Sequence, residues 1–179
     1  MDNFWHIFFI WVHILGVALL VGPQFFMAYA WIPASRNIDD LRVRVKAMRT
    51  ITRRFGYVGG AGIVLLVCAG TYLIIDWRDY YAVDESVSFT ALRFGVVFII
   101  KMTLFTVMVA ALAAHMFWLG PRQLERLEAQ ANGERISPDE VRRARIASMI
   151  TSVLALALAL AIMVMGVMLN SVGWSLQEV

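Results

Sequence analysis

Charge is scarce in this chain and cysteine scarcer: 16% of its 179 residues are charged, and Cys68 is the one cysteine. A single thiol excludes a disulfide framework within the chain and any zinc site built from paired cysteines. No Gly-rich phosphate loop, Ser/His/Asp set or HExxH motif occurs, so ATP-driven transport and hydrolysis have no visible machinery. What fills the space is apolar: 60% of residues are hydrophobic and the mean hydropathy is +0.70, outside the range of a soluble domain.

A helix needs about 20 mainly apolar residues to cross a bilayer core, and four stretches qualify: 4–32, 57–75, 91–119 and 146–170. Their apolar character is continuous, without the period-two alternation of an outer-membrane barrel. The expected fold is therefore all-α: an antiparallel bundle of four transmembrane helices forming one domain over 1–179. The opening MDNFWH lacks the basic region of a cleaved signal, so the first span is expected to stay in the mature protein.

Charge distribution orients the chain. Arg36, Arg42, Arg44, Lys46, Arg49, Arg53 and Arg54 lie between the first two spans, and six more arginines lie between the last two. The segment joining the middle spans carries Asp76, Asp79, Asp84 and Glu85. The positive-inside rule then puts both basic loops in the cytoplasm and both termini outside, the periplasmic side of a bacterial inner membrane. The formal charge of +3 is explained by this topology and by anionic lipid, without nucleic acid.

Within the first loop, Leu41, Val45, Met48 and Ile51 recur at helical spacing among the arginines, predicting an amphipathic helix lying at the interface. Ser137, Pro138 and Glu140 read as an N-cap, a proline at N1 and a capping-box acid, starting the fourth helix near 138. Gly120-Pro121 is expected to end the third span. Trp5, Trp31, Trp77, Trp118 and Trp174 fall near span boundaries, as interfacial anchors do. No internal repeat stands out beyond the similarity of the spans.

Ionisable groups inside the bilayer are functional candidates by default, because each is costly there. This chain has few: His13 in the first span, Lys101 and His115 in the third, with His6 and Arg93 near outer ends. At 100° per residue, His6, His13 and Gln24 share one stripe of the first helix, and Lys101, Met108 and His115 share one stripe of the third. Such stripes belong in the bundle interior. His13 and Lys101 should lie level, whereas His115 is ~20 Å deeper than Lys101. One haem could not be ligated by both His13 and His115. Imidazole is the commonest axial ligand of haem iron, which makes His13 the iron-ligand candidate. Lys101 would neutralise a propionate, hold a porphyrin carboxylate or move a proton. Arg93, Gln24 and His115 complete the set of cofactor-binding candidates.

Each has a plainer reading. His13 and Gln24 could serve only as hydrogen-bonding glue between helices, Lys101 could snorkel, and His6, Arg93 and His115 could be interfacial. A soft Cu(I) site from His13, Cys68 and Met165 is the alternative metal reading, set against the ordinary use of methionine as packing material. A third alternative is a non-catalytic assembly subunit, whose polar stripes bind partner helices. Self-association through the glycine-rich second helix is a further expectation.

The stretches WVHILGVALLVGPQFF (11–26) and FIIKMTLFTVMVAALAAH (98–115) resemble those of four-span bacterial proteins grouped as CopD-like, together with the related HemJ-type protoporphyrinogen oxidases. Similarity to the HemJ type implies a b-type haem, with His13 matching the histidine and Lys101 the lysine needed for haem binding and porphyrinogen oxidation. Similarity to CopD implies copper handling. HemJ-type sequences usually continue with a Pro-Arg-Leu and tyrosine-histidine run where this chain reads GPQFFMAYAWIP, so a haem protein served by another partner, such as a quinol, fits the same architecture.

Overall fold

A computed structural model describes residues 2–179. Four of its helices are long and apolar enough to cross a membrane: α1 (Phe4–Ser35), α2 (Leu41–Ile75), α4 (Arg93–Ala131) and α5 (Pro138–Asn170). Two short helices, α3 (Trp77–Tyr81) and α6 (Val172–Ser175), lie beyond the ends of α2 and α5. Among the described residues there is no strand, only an isolated bridge between Leu92 and Glu178.

The helices outrun the apolar stretches that predict them. At 35 residues, α2 is ~50 Å long against a hydrocarbon core of ~30 Å. The amphipathic stretch at its start is thus not a separate interfacial helix: nothing between Ile51 and Tyr57 breaks the chain, and a lone Gly56 is tolerated inside a helix. Asp40 caps the whole length, accepting hydrogen bonds from the main-chain N–H groups of Arg42 (2.8 Å) and Val43 (3.3 Å). These first turns pack on the last turns of α4, where Arg49 pairs with Glu128 and Arg42 Nε donates to the Ala131 carbonyl. α5 starts at Pro138 as its sequence predicts, although Ser137 makes no side-chain cap.

Gly120-Pro121 does not end the third span. Proline lacks an N–H, and its ring clashes with the carbonyl four residues back, which normally breaks a helix. Here a π-turn over His115–Leu119 comes first, with the Gly120 N–H reaching back to the His115 carbonyl, and the widened register carries the helix past Pro121. α1 uses the same device: a π-turn over Met27–Trp31, with the Ile32 N–H on the Met27 carbonyl, precedes Pro33.

Two helix pairs make up the bundle, α1 with α2 and α4 with α5. All four helices contribute to one core, in which Leu20, Leu66, Met108 and Ala159 are buried. A second cluster closes the end carrying the termini, where Trp77 stacks on Phe94 (4.7 Å, 10° between planes) beside Leu92 and Leu169. Trp77 is therefore a core residue rather than an interfacial anchor: α3 turns back over the bundle end and carries its ring inward. Trp5 and Trp118 remain exposed, as anchors are. In the loop after α3, hydrogen bonds from Ser86 hold the Asp84 carboxyl below its ordinary range, and Arg78 spans the loop to the Asp84 and Val87 carbonyls.

The α1–α2 pair is tightest at Gly16 and Gly62. A Cβ on either glycine would stand 2.9 Å from the other's carbonyl oxygen, so only glycine lets the backbones come this close. Gly62→Val should destabilise the protein by about 1–3 kcal/mol in thermal unfolding in mild detergent. Gly60→Val, at a position with nothing within 4 Å of the added Cβ, should leave the midpoint nearly unchanged. Equal behaviour of the two variants would contradict this packing.

Candidate functional site

The crossing at Gly16 and Gly62 fixes which residues of α1 and α2 meet along the rest of their length. One turn along α1 toward its start, His13 lies against Gly70, whose added Cβ would sit 3.4 Å from Cε1 of the imidazole. Another turn out, Phe9 stacks on Tyr72 with ring centroids 4.0 Å apart. Beyond that, His6 Nδ1 is 2.6 Å from Asp76 Oδ2, and the His6 ring lies flat on Tyr80 at 3.4 Å, with 1° between planes. This is one continuous column of aromatic and polar groups.

His13 is the member of the column without a full set of partners. Its ring is in backbone hydrogen-bonding contact with Leu66 and faces the charge of Lys101, and its buried Nδ1 has no partner of good hydrogen-bond geometry among the described residues. Lys101 reaches the site from α4, with Nζ 3.8 Å from where a Cβ on Gly166 of α5 would stand. Among the described residues no carboxylate forms an ion pair with it. An imidazole and an ammonium thus share one half-buried region, His13 against a glycine of α2 and Lys101 against a glycine of α5.

The two positions correspond. His13 lies fourteen residues before the π-turn of α1, and Lys101 lies fourteen before the π-turn of α4. That interval is ~21 Å of helix, so the two groups sit at the same distance from equivalent landmarks. Each faces a glycine near the far end of the next long helix, Gly70 in α2 and Gly166 in α5. The two hairpins therefore repeat one plan, which is hidden in sequence because the matched residues differ in type.

The remaining predicted residues stand apart from this pair. Gln24 donates to the Leu20 carbonyl of its own helix (3.1 Å), and its Oε1 is buried without a partner. His115 opens the π-turn of α4, with Nδ1 3.4 Å from Ser152 Oγ. Since the Ser152 hydroxyl already donates to the Ser148 carbonyl (2.9 Å), Nδ1–H of His115 is the donor in that contact. Arg93 belongs to the terminal end: it donates to Gln177 Oε1 (2.7 Å) and lies over the Trp174 ring. Cys68 is exposed, and at two residues from Gly70 it sits ~200° around α2 from the side that meets His13. Met165 is half-buried on α5. Of the copper set, Cys68 thus points away from His13, and no cluster of three His, Cys, Asp or Glu occurs among the described residues.

The His6–Asp76–Tyr80 group is what a residue-by-residue reading misses. His6 is 4% exposed, not interfacial. Its signal was present in topology: His6 and Asp76 stand at the same end of successive spans, where a hairpin must bring them close. Compared with protein families, curated proteins and solved structures, the chain matches none.

Asp76→Ala would leave the buried His6 nitrogen without its carboxylate and should cost about 1–3 kcal/mol in thermal unfolding. It should also raise amide exchange in the first two turns of α1. Asp76→Asn keeps an acceptor and should cost less; equal losses in both variants would show that the hydrogen bond is not what holds this end.

Proposed function

We propose that this chain is a b-haem-binding integral membrane protein of electron transfer or redox chemistry, with His13 as iron ligand. The supporting observation is the pairing of an imidazole that has a buried, unpartnered nitrogen with an ammonium that has no carboxylate, both inside the four helices. A haem answers both needs at once, because its iron takes an imidazole nitrogen and its propionates take a cation. Gly70 and Gly166 keep side chains out of the two contacts. Haem supplies a one-electron couple when bound.

The chain's own residues do the rest. His13 is oriented by its seat against Gly70 and Leu66, and Lys101 neutralises a carboxylate or passes a proton at Nζ. Met108, Phe105 and the other apolar residues of the core exclude water from one side. Arg93 and His115 lie ~12 Å and ~21 Å along α4 from Lys101, and Gln24 ~16 Å along α1 from His13, flanking the pair as further cofactor-binding candidates. The reading includes an antiparallel bundle in a bacterial inner membrane, with both termini on the periplasmic side, as the basic loops imply. The resemblance of the first and third spans to HemJ-type and CopD-like proteins supports it. The electron donor is a quinol or, in the HemJ-like form, protoporphyrinogen.

Protein purified in mild detergent from haem-replete cells should show a Soret band and sharp α and β bands on dithionite reduction. His13→Ala should insert normally and lose these bands, and Lys101→Met should retain haem roughly 10- to 100-fold more weakly. A colourless protein, or unchanged haem content in His13→Ala, would overturn the assignment.

A further inference from the structure

At the opposite, basic end, one face of α2 carries Arg49, Thr50, Arg53, Arg54 and Tyr57, which line an open hollow of about 560 Å³. It continues into a cleft of about 510 Å³ between α2 and α4, walled by Gly56, Met116, Pro121 and Leu124, with Glu125 also lining it. The charges are unevenly committed. Arg49 is paired with Glu128, and Arg53 Nε donates to the Tyr57 hydroxyl (3.1 Å), which leaves the terminal nitrogens of Arg53 free. Among the described residues Arg54 has neither a hydrogen bond nor an ion pair, and it is exposed.

Depth relates these groups to a bilayer. Tyr57 is the first residue of the apolar stretch of α2, so Arg53 and Arg54 lie about one turn, ~5 Å, outside the hydrocarbon, at phosphate level. Gly56 and Met116 lie at the acyl boundary, and Trp118, exposed on the same π-turn as Met116, is an interfacial residue at that level. Gly56 and Met116 close the inner end of the cleft, where α2 and α4 touch: an added Cβ on Gly56 would come within 3.1 Å of Met116 Sδ. Guanidiniums at phosphate level beside Met116 at the acyl boundary match a molecule that is anionic at one end and hydrocarbon at the other.

We infer that this cleft is a binding site for one anionic phospholipid, its phosphate held by Arg53 and Arg54 and one acyl chain lying against the outer side of Met116. Guanidinium recognises phosphate through paired N–H donors, and basic clefts between transmembrane helices are established headgroup sites. The site is independent of the haem reading, lying at the other end of the helices from His6 and Asp76.

The test uses the full chain in nonionic detergent, titrated with phosphatidylglycerol, phosphatidylcholine or inorganic phosphate, and read by native mass spectrometry and by thermal unfolding. One phosphatidylglycerol should stay bound and raise the unfolding temperature saturably, and phosphatidylcholine should not. Arg53→Gln/Arg54→Gln should weaken that binding ~10-fold or more, while Arg142→Gln/Arg143→Gln, which neutralises exposed arginines elsewhere at the basic end, should leave it intact. Three results would each overturn the proposal: equal binding of the two lipids, undiminished binding by the Arg53/Arg54 variant, or the same protection from inorganic phosphate alone.

Discussion

A polar group inside a bilayer must find its partner within the protein, and in this chain the place where that becomes possible is the close crossing of α1 and α2 at Gly16 and Gly62. With backbones that near, the helices can meet along a continuous seam. The seam brings His6 to Asp76, Phe9 to Tyr72 and His13 to Gly70 in succession. Widen the crossing by one methyl group and every contact outward from it must shift. The packing constraint is thus prior to the chemistry.

The seam is satisfied unevenly, and the unevenness is informative. At its outer end His6 has a carboxylate on Nδ1 and an aromatic ring flat against it, an arrangement that ties the start of α1 to the end of α2. Seven residues on, along the same stripe, His13 has a glycine where a partner side chain would be. That the deeper one is left short of a partner, with a cation from the other hairpin nearby, is the reason to look for a ligand there rather than at the outer end.

Much of this was legible in the sequence. Four spans, the shared stripe of His6 and His13, and the level placement of His13 with Lys101 all follow from apolar run length and a 100° helical step. What was not legible has physical causes. Proline and glycine at 120–121 signal a helix end, but a π-turn is a change of hydrogen-bond register with no residue signature, so α4 runs on to Ala131. The amphipathic pattern at 41–51 correctly marks one buried face, yet it cannot say whether that face meets lipid or, as Val45 and its neighbours do, the end of another helix. Trp77 sits at a span boundary in sequence, and only the reversal of the chain through α3 turns it into the core.

The correspondence of the two hairpins bears on why one side of the site is a histidine and the other a lysine. Two π-turns, each followed by an X-Pro pair, lie at the same distance from His13 in α1 and from Lys101 in α4, and Gly70 and Gly166 occupy matching places opposite them. A scaffold built twice offers two equivalent inward positions at one depth. Two imidazoles there would supply no fixed cation, and two ammoniums would repel in a medium that screens them poorly. One imidazole and one amine avoid both, so the two halves of the repeat agree in place and differ in chemistry. The repeat supplies the geometry, and the difference in residue type between its halves makes the region between them chemically asymmetric.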